Sequence, residues 1–273
     1  MVRLVSRRPV LRVRDGVRVT RPDVLAAEEP LEIRISGRPL AVTMRTPGAD
    51  WDLVHGFLAT EGVIRQAVDI RTLRYCDSVD DTGRNTYNVS DVELAEGLSA
   101  PDPSVTRNFY TTSSCGICGK ASIEAVTVDS PYDLHTDRTL VSLDIVLQLP
   151  EKLRAAQQVF DKTGGLHAAG IFSSTGELLV AREDVGRHNA VDKAIGAMVR
   201  ESQLPLLGAI LMVSGRASFE LTQKALLAGI PTLAAVSAPS SLAADLAEEV
   251  GMTLIGFVRG TGCNVYTGQF RVS

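Results

Sequence analysis

From about residue 140 onward the chain alternates helical periodicity with short, continuous apolar runs, and no other feature restricts its fold as strongly. The runs 208–213, 232–236 and 253–257 read as strands buried on both faces. Helices are predicted over 149–160, 189–199, 218–227 and 240–250, and Ala190, Val191, Ala194, Ile195 and Met198 fall on one face of the second. Two short strands, 168–172 and 178–182, flank a Ser173-Ser174-Thr175-Gly176 turn. The order α-β-β-α-β-α-β-α-β implies a mixed central sheet, parallel at least in its second half, with helices on both faces and right-handed crossovers.

The first hundred residues read differently. Segment 31–35 alternates apolar and charged residues, Gly37-Arg38-Pro39 punctuates it, and 40–44 resumes an extended pattern, which predicts a hairpin. Asp50 is expected to cap a helix carrying Trp51, Leu53, Val54, Phe57 and Leu58 inward. Segments 70–75 and 86–94 are further strands, joined by an Asp80-Asp81-Thr82-Gly83 turn. The expected organisation is a β-rich N-terminal subdomain (1–110), a loop (111–138) and a three-layer α/β domain (139–273).

At 273 residues and 45% hydrophobic, the chain can bury a core of one or two domains. Its 28 basic and 32 acidic residues, a formal −4, argue against nucleic acid or anionic membrane as a bulk partner. Residues 6–12, with Arg7-Arg8, mimic a twin-arginine signal, but Arg14, Asp15 and Arg18 stand where an apolar core belongs. No apolar stretch approaches the roughly 20 residues a membrane span needs.

Four cysteines, at 76, 115, 118 and 263, do not make a secreted disulfide framework, so reduced thiols are expected. Two of them sit in Ser113-Ser114-Cys115-Gly116-Ile117-Cys118-Gly119-Lys120. Glycines there let a bulky partner approach, and Lys120 favours a reactive thiolate. Such a pair can serve redox exchange, half a zinc site, or sulfur relay. A zinc site needs a second pair, and none is closely spaced here. The arrangement of elements resembles the cytidine deaminase fold, yet no proline precedes Cys115, and His55, His135, His167 and His188 all lack a glutamate two residues later. Deamination and a structural metal are not expected. A thioredoxin-like pair would sit inside a β-α-β unit, whereas this one precedes it. An exposed thiol that accepts and releases sulfane sulfur remains.

Three turns after predicted strands collect polar groups. Arg182, Glu183, Asp184, Arg187, Asp192 and Lys193 surround Gly186 where a helix begins, and Arg187 or His188 could bind phosphate there, unless the cluster is a solvated helix start. Ser214, Gly215 and Arg216 follow the buried strand 208–213. Phe257, Val258, Arg259, Gly260, Thr261 and Gly262 follow the last strand and combine an arginine, glycines and a hydroxyl. Gly164-Gly165 with His167 forms a fourth tight turn. None is a P-loop or dinucleotide fingerprint, and a nucleotide-like ligand is the expectation.

Taken together, residues 113–120, 163–167, 182–193, 214–221 and 256–267 resemble the formate dehydrogenase accessory sulfurtransferase family, the FdhD-type sulfur carriers. The resemblance implies a cytoplasmic homodimer with a cytidine deaminase-like C-terminal domain. It further implies that Cys115, assisted by Cys118, takes persulfide sulfur from a cysteine desulfurase. The sulfur passes to the molybdenum cofactor (bis-molybdopterin guanine dinucleotide) destined for formate dehydrogenase, and residues 257–262 would bind that cofactor. A delivery chaperone that binds the cofactor without sulfur chemistry is the rival reading.

Overall fold

The computed structural model of the chain describes residues 4–76, 79, 83, 85–98 and 130–273. The chain opens with an antiparallel ribbon of β1 (Val5–Arg14) and β2 (Val17–Ala26) that no periodicity in the sequence announces. The expected hairpin follows as β3 (Glu29–Ile35) and β4 (Arg38–Arg45). Helix α1 (Asp50–Thr60), β5 (Ile70–Tyr75) and β6 (Val89–Leu94) complete the first half, with sheet order β4-β3-β6-β5. Asp50 does not cap α1. Ala49 holds that position in the left-handed region, and Asp50 instead accepts from Arg45 Nη2 at 2.9 Å and Tyr75 Oη at 2.9 Å.

Helix α2 (Leu143–Ala156) begins six residues earlier than expected and contains Pro150. Proline removes one backbone donor inside a helix. Burial of Val146, Leu149 and Leu153 on one stripe keeps the helix continuous through it. A single turn, α3 (Phe160–Thr163), leads into β7 (His167–Phe172) and β8 (Leu178–Asp184). Then come α4 (Arg187–Arg200), β9 (Ile210–Val213), α5 (Phe219–Leu227), β10 (Thr232–Ala235), α6 (Ser241–Glu249), β11 (Thr253–Arg259) and β12 (Gly262–Thr267). Strand β12 was not expected.

The large sheet runs β12-β11-β10-β9-β7-β8. Strands β9, β10 and β11 are parallel, while β7 is antiparallel to both neighbours and β12 antiparallel to β11, so the sheet is mixed as expected. Its residues alternate between two cores, as a period of two requires. Ala168, Phe172, Ile210, Met212, Ala234 and Ile255 pack on α2. Ala169, Ile171, Leu211, Val213, Leu233 and Leu254 face α4, α5 and α6. That second core continues through α1 into Leu31, Ile33, Leu40 and Val92 of the small sheet.

Helix α4 therefore lies between two layers. Residues 188–199 are all buried, rather than one face only. Leu134, within the expected 111–138 loop, is also buried in this core. Among the described residues no helix is long and apolar enough to cross a membrane.

Candidate functional site

Strand directions bring the candidate turns to one edge. The carboxyl ends of β8, β9, β10 and β11 meet the start of β7 there, which is where open α/β sheets bind ligands. Backbone bonds stitch the turns together. Ser214 N donates to Ala168 O at 3.0 Å, and Ala168 N donates to Ser214 Oγ at 2.9 Å. Ser237 N donates to Gly215 O at 3.3 Å, and Phe257 N to Ser237 O at 3.2 Å.

A cavity of about 960 Å³ opens at this edge beside β7. Its walls include Leu153 and Arg154 of α2, Phe160 of α3, Gly164 to His167, Val185, Ser214 and Val236. Its size suits a ligand larger than a single sugar or amino acid. Glu183 shapes one wall by accepting from Val159 N (2.9 Å) and Phe160 N (2.7 Å), which satisfies free donors at the start of α3. Gly165 sits close to Ala26 of β2, and the ring of His167 borders Gly215.

The charged run around Gly186 proves to be structural for the most part. Asp184 is fully buried and accepts from Gly186 N (2.8 Å), Asn189 Nδ2 (3.2 Å) and Thr46 N (3.0 Å). Its other contact is an ion pair with Lys193 Nζ at 2.6 Å, and Lys193 also donates to Thr46 O at 2.7 Å. Val185 N donates to Thr46 Oγ1. The segment after β4 thus clamps the turn that carries Val185 into the cavity wall and leads to Arg187, whose charge reaches His167. Asp184 and Lys193 of this run are therefore buried partners of each other. Arg182 and Arg200 pair with Asp52, so they too are committed.

His188 is an enclosed, neutral imidazole rather than a cation. It is buried, and that burial, followed by neighbouring Arg187, Lys224 and His167, pushes its pKa down to about 3. Glu220 Oε2 lies 3.2 Å from Nε2 without hydrogen-bond alignment, so it does not hold a proton there. His167 is likewise lowered, first by burial and then by Arg187. Arg187 is half-buried, and its Nε has no hydrogen-bond partner among the described residues. It is the residue of the run best placed to meet an anion.

A neutral imidazole in the fold sets a pH dependence. The unfolded chain binds a proton at His188 near pH 6.5, the folded chain only near 3. Its contribution to stability is complete above pH 6.5 and is lost as pH falls toward 3. We expect His188→Gln to remove up to about 1.4 kcal/mol per pH unit from the slope of stability between those limits. Urea midpoints measured across that range check this, and equal slopes in both proteins would refute it.

The turn 257–262 belongs to the same edge but does not line the cavity. Phe257 has φ 53°, in the left-handed region, and the Arg259 guanidinium lies 5.6 Å from its ring centroid. Arg259, which ends β11, Gly262, which begins β12, and the turn residues Gly260 and Thr261 between them are all exposed, so 257–259 belong to the last parallel strand rather than following it. Val258 is fully buried among Ile255 and Met212, which leaves only its backbone for a ligand. Arg216 is exposed beside Ser214 and Gly215. Cys115 and Cys118 lie outside the described residues. Among those described, no three His, Cys, Asp or Glu side chains gather as a metal site.

Sequence reading missed the cavity itself, because its walls come from α2, α3 and four separate turns. The one local signal was the Gly164-Gly165 pair beside His167.

Comparisons with known proteins bear on the family and the fold of the chain. The model of the FdhD/NarQ family matches residues 26–273. A protein of Streptomyces coelicolor named sulfur carrier protein FdhD is 56% identical over 274 aligned positions, covering 100% of this chain and 97% of its own length. The proteins of that name from Mycobacterium tuberculosis and Sulfolobus acidocaldarius are 56% and 43% identical, covering 93% and 96% of this chain and 94% and 96% of their own. A crystal structure of a protein from Desulfotalea psychrophila, designated a formate dehydrogenase accessory protein, superposes with a TM-score of 0.75. It covers 99% of this chain and 100% of its own at 22% identity, which shows a shared fold. With the family model spanning nearly the whole chain and relatives of this identity matching end to end, the protein belongs to the FdhD/NarQ family.

Proposed function

We propose that this protein is a sulfur carrier that serves formate dehydrogenase, with Cys115 as the carrying thiol. Full-length relatives named as sulfur carriers, together with the Cys115-Gly116-Ile117-Cys118 motif in this chain, are the observation that carries the reading. In the first step the Cys115 thiolate attacks the terminal sulfur of a persulfide on a cysteine desulfurase. The donor's S–S bond breaks, its cysteine leaves as thiolate, and Cys115 holds the persulfide. In the second, Cys118 attacks Cys115 Sγ, forming a Cys115–Cys118 disulfide and releasing the outer sulfur at the sulfide level to the molybdenum cofactor. A dithiol reductant then restores both thiols.

The cofactor is cargo here. Its pterin and nucleotide parts suit an edge with a large cavity, a half-buried Arg187 and exposed Arg216 and Arg259. Reduced thiols support a cytoplasmic setting. The mixed sheet covered on both faces supports a cytidine deaminase-like fold for the C-terminal half.

Incubation with a cysteine desulfurase and cysteine, followed by intact-mass and peptide mass spectrometry, tests the reading. The expected result is one added sulfur on the peptide carrying Cys115 and none in Cys115→Ala, which also loses activation of formate dehydrogenase. A protein that gains no sulfur yet still activates the enzyme would be a delivery chaperone.

A further inference from the structure

The cavity beside β7 has a charge pattern that decides which part of a ligand it takes. Among its lining residues only Glu151, Arg154 and Asp161 carry charge at neutral pH. Arg154 is already committed, with Nη1 2.5 Å from Asp161 Oδ1 and its guanidinium 4.6 Å from the Phe160 ring centroid. His167 adds no cation there, since burial and then Arg187 lower its pKa. A phosphate entering the cavity would meet two carboxylates and no free cation. The arginines suited to phosphate, Arg187, Arg216 and Arg259, all lie outside the lining. Leu153, Phe160, Val185 and Val236 instead offer apolar wall, which suits the faces of a flat, uncharged ring.

Gln157 addresses the edge of that ring. It lines the cavity, is 4% exposed, and its carboxamide makes no hydrogen bond among the described residues. Its backbone, by contrast, is fixed on both sides. Gln157 N donates to Arg154 O at 3.2 Å, and Gln157 O accepts from Asp161 N at 3.2 Å. An enclosed polar group without a partner is unfavourable, and a ligand that pairs with it removes the penalty. A carboxamide offers a donor and an acceptor side by side. A peptide bond cannot pair with both, because a trans amide points its N–H and C=O in opposite directions. A ring lactam holds the two together on one edge. We propose that the cavity takes a ring-lactam heterocycle read by Gln157, while phosphates attached to it stay outside on Arg187, Arg216 and Arg259. This rests on the reading of the cofactor as cargo, and its pterin and guanine both carry such a lactam.

Titration of the full chain with pterin and with guanosine, each beside its derivative methylated on the lactam nitrogen, tests this. The ring that occupies the cavity should bind roughly tenfold or more tighter than its methylated form. Gln157→Leu, which keeps the bulk of the side chain, should lose a similar factor, and in that variant methylation should weaken binding no further. Inorganic pyrophosphate should leave ring binding unchanged. The ring that responds identifies the source, pterin or guanine. The proposal is overturned if neither ring binds, if methylation changes nothing, if the variant binds like wild type, if the two losses simply multiply, or if pyrophosphate displaces the ring. The methylated ligands probe the wild type directly, so misfolding of Gln157→Leu cannot mimic the result. Sulfur loading is a separate readout. A wild type that gains sulfur but binds neither ring sinks this inference alone, and one that binds a ring but gains no sulfur sinks the carrier reading alone.

Discussion

Lys224→Met is expected to lower the free energy of unfolding by about 3–5 kcal/mol, because it strands a buried carboxylate. Lys224 Nζ lies 2.9 Å from Asp192 Oδ1, 3.1 Å from Oδ2 and 2.9 Å from Thr60 Oγ1, with Glu61 at 3.8 Å. Lys224 and Asp192 are 3% and 2% exposed, so water cannot replace a missing partner. Burial alone pulls the Lys224 pKa down, but Asp192, Glu61 and Glu220 more than reverse it, and the ammonium stays charged. The triad joins α5, α4 and α1 at their common centre. Removing the cation leaves Asp192 with Thr60 Oγ1 at 2.8 Å as its remaining donor. The double variant Asp192→Asn with Lys224→Met should recover part of the loss, since no bare charge remains. Urea unfolding of the single and double variants measures this. A single-variant loss below about 1 kcal/mol would mean the pair is not desolvated.

Gly196→Ala is expected to destabilise by about 3 kcal/mol, at the upper end of ordinary overpacking. In an exposed helix the same change would stabilise by roughly 1 kcal/mol, so the sign itself is diagnostic. Helices α1 and α4 cross backbone to backbone. A Cβ on Gly196 would overlap the carbonyl oxygen of Asp52 and crowd the amide of Gly56. A Cβ on Gly56 would overlap the carbonyl of Asp192. Backbone cannot swing aside as a side chain would, so the helices must separate. Asp52 resists this through its pairs with Arg182 (2.8 Å) and Arg200 (2.5 Å). Separation would also displace Arg187 at the start of α4. Thermal and urea unfolding measure the lost stability. A neutral or stabilising Gly196→Ala would contradict so close a crossing.

The β9, β10 and β11 runs were legible in the sequence because strands buried on both faces must be apolar without interruption, and so was the β3–β4 hairpin from its alternation. Alternating helices and strands also announced a mixed sheet whose strand ends gather polar turns, whereas the spacing of the cysteine motif left redox, metal and sulfur-relay chemistry open. The β1–β2 ribbon escaped because its strands face solvent, so arginines and valines interleave with no buried side to write a pattern. Pro150 marked a helix start by local rules, yet three buried residues spaced along α2 outweighed one missing donor. Around Gly186 the sequence by itself determined only that charges cluster at a helix start. The tertiary structure decided that Asp184 and Lys193 are an interior clamp reaching Thr46, 138 residues from Asp184, and that His188 is neutral and enclosed. Local sequence sets propensity and periodicity, whereas the partner of a charge and the water it keeps depend on which distant segments fold over it.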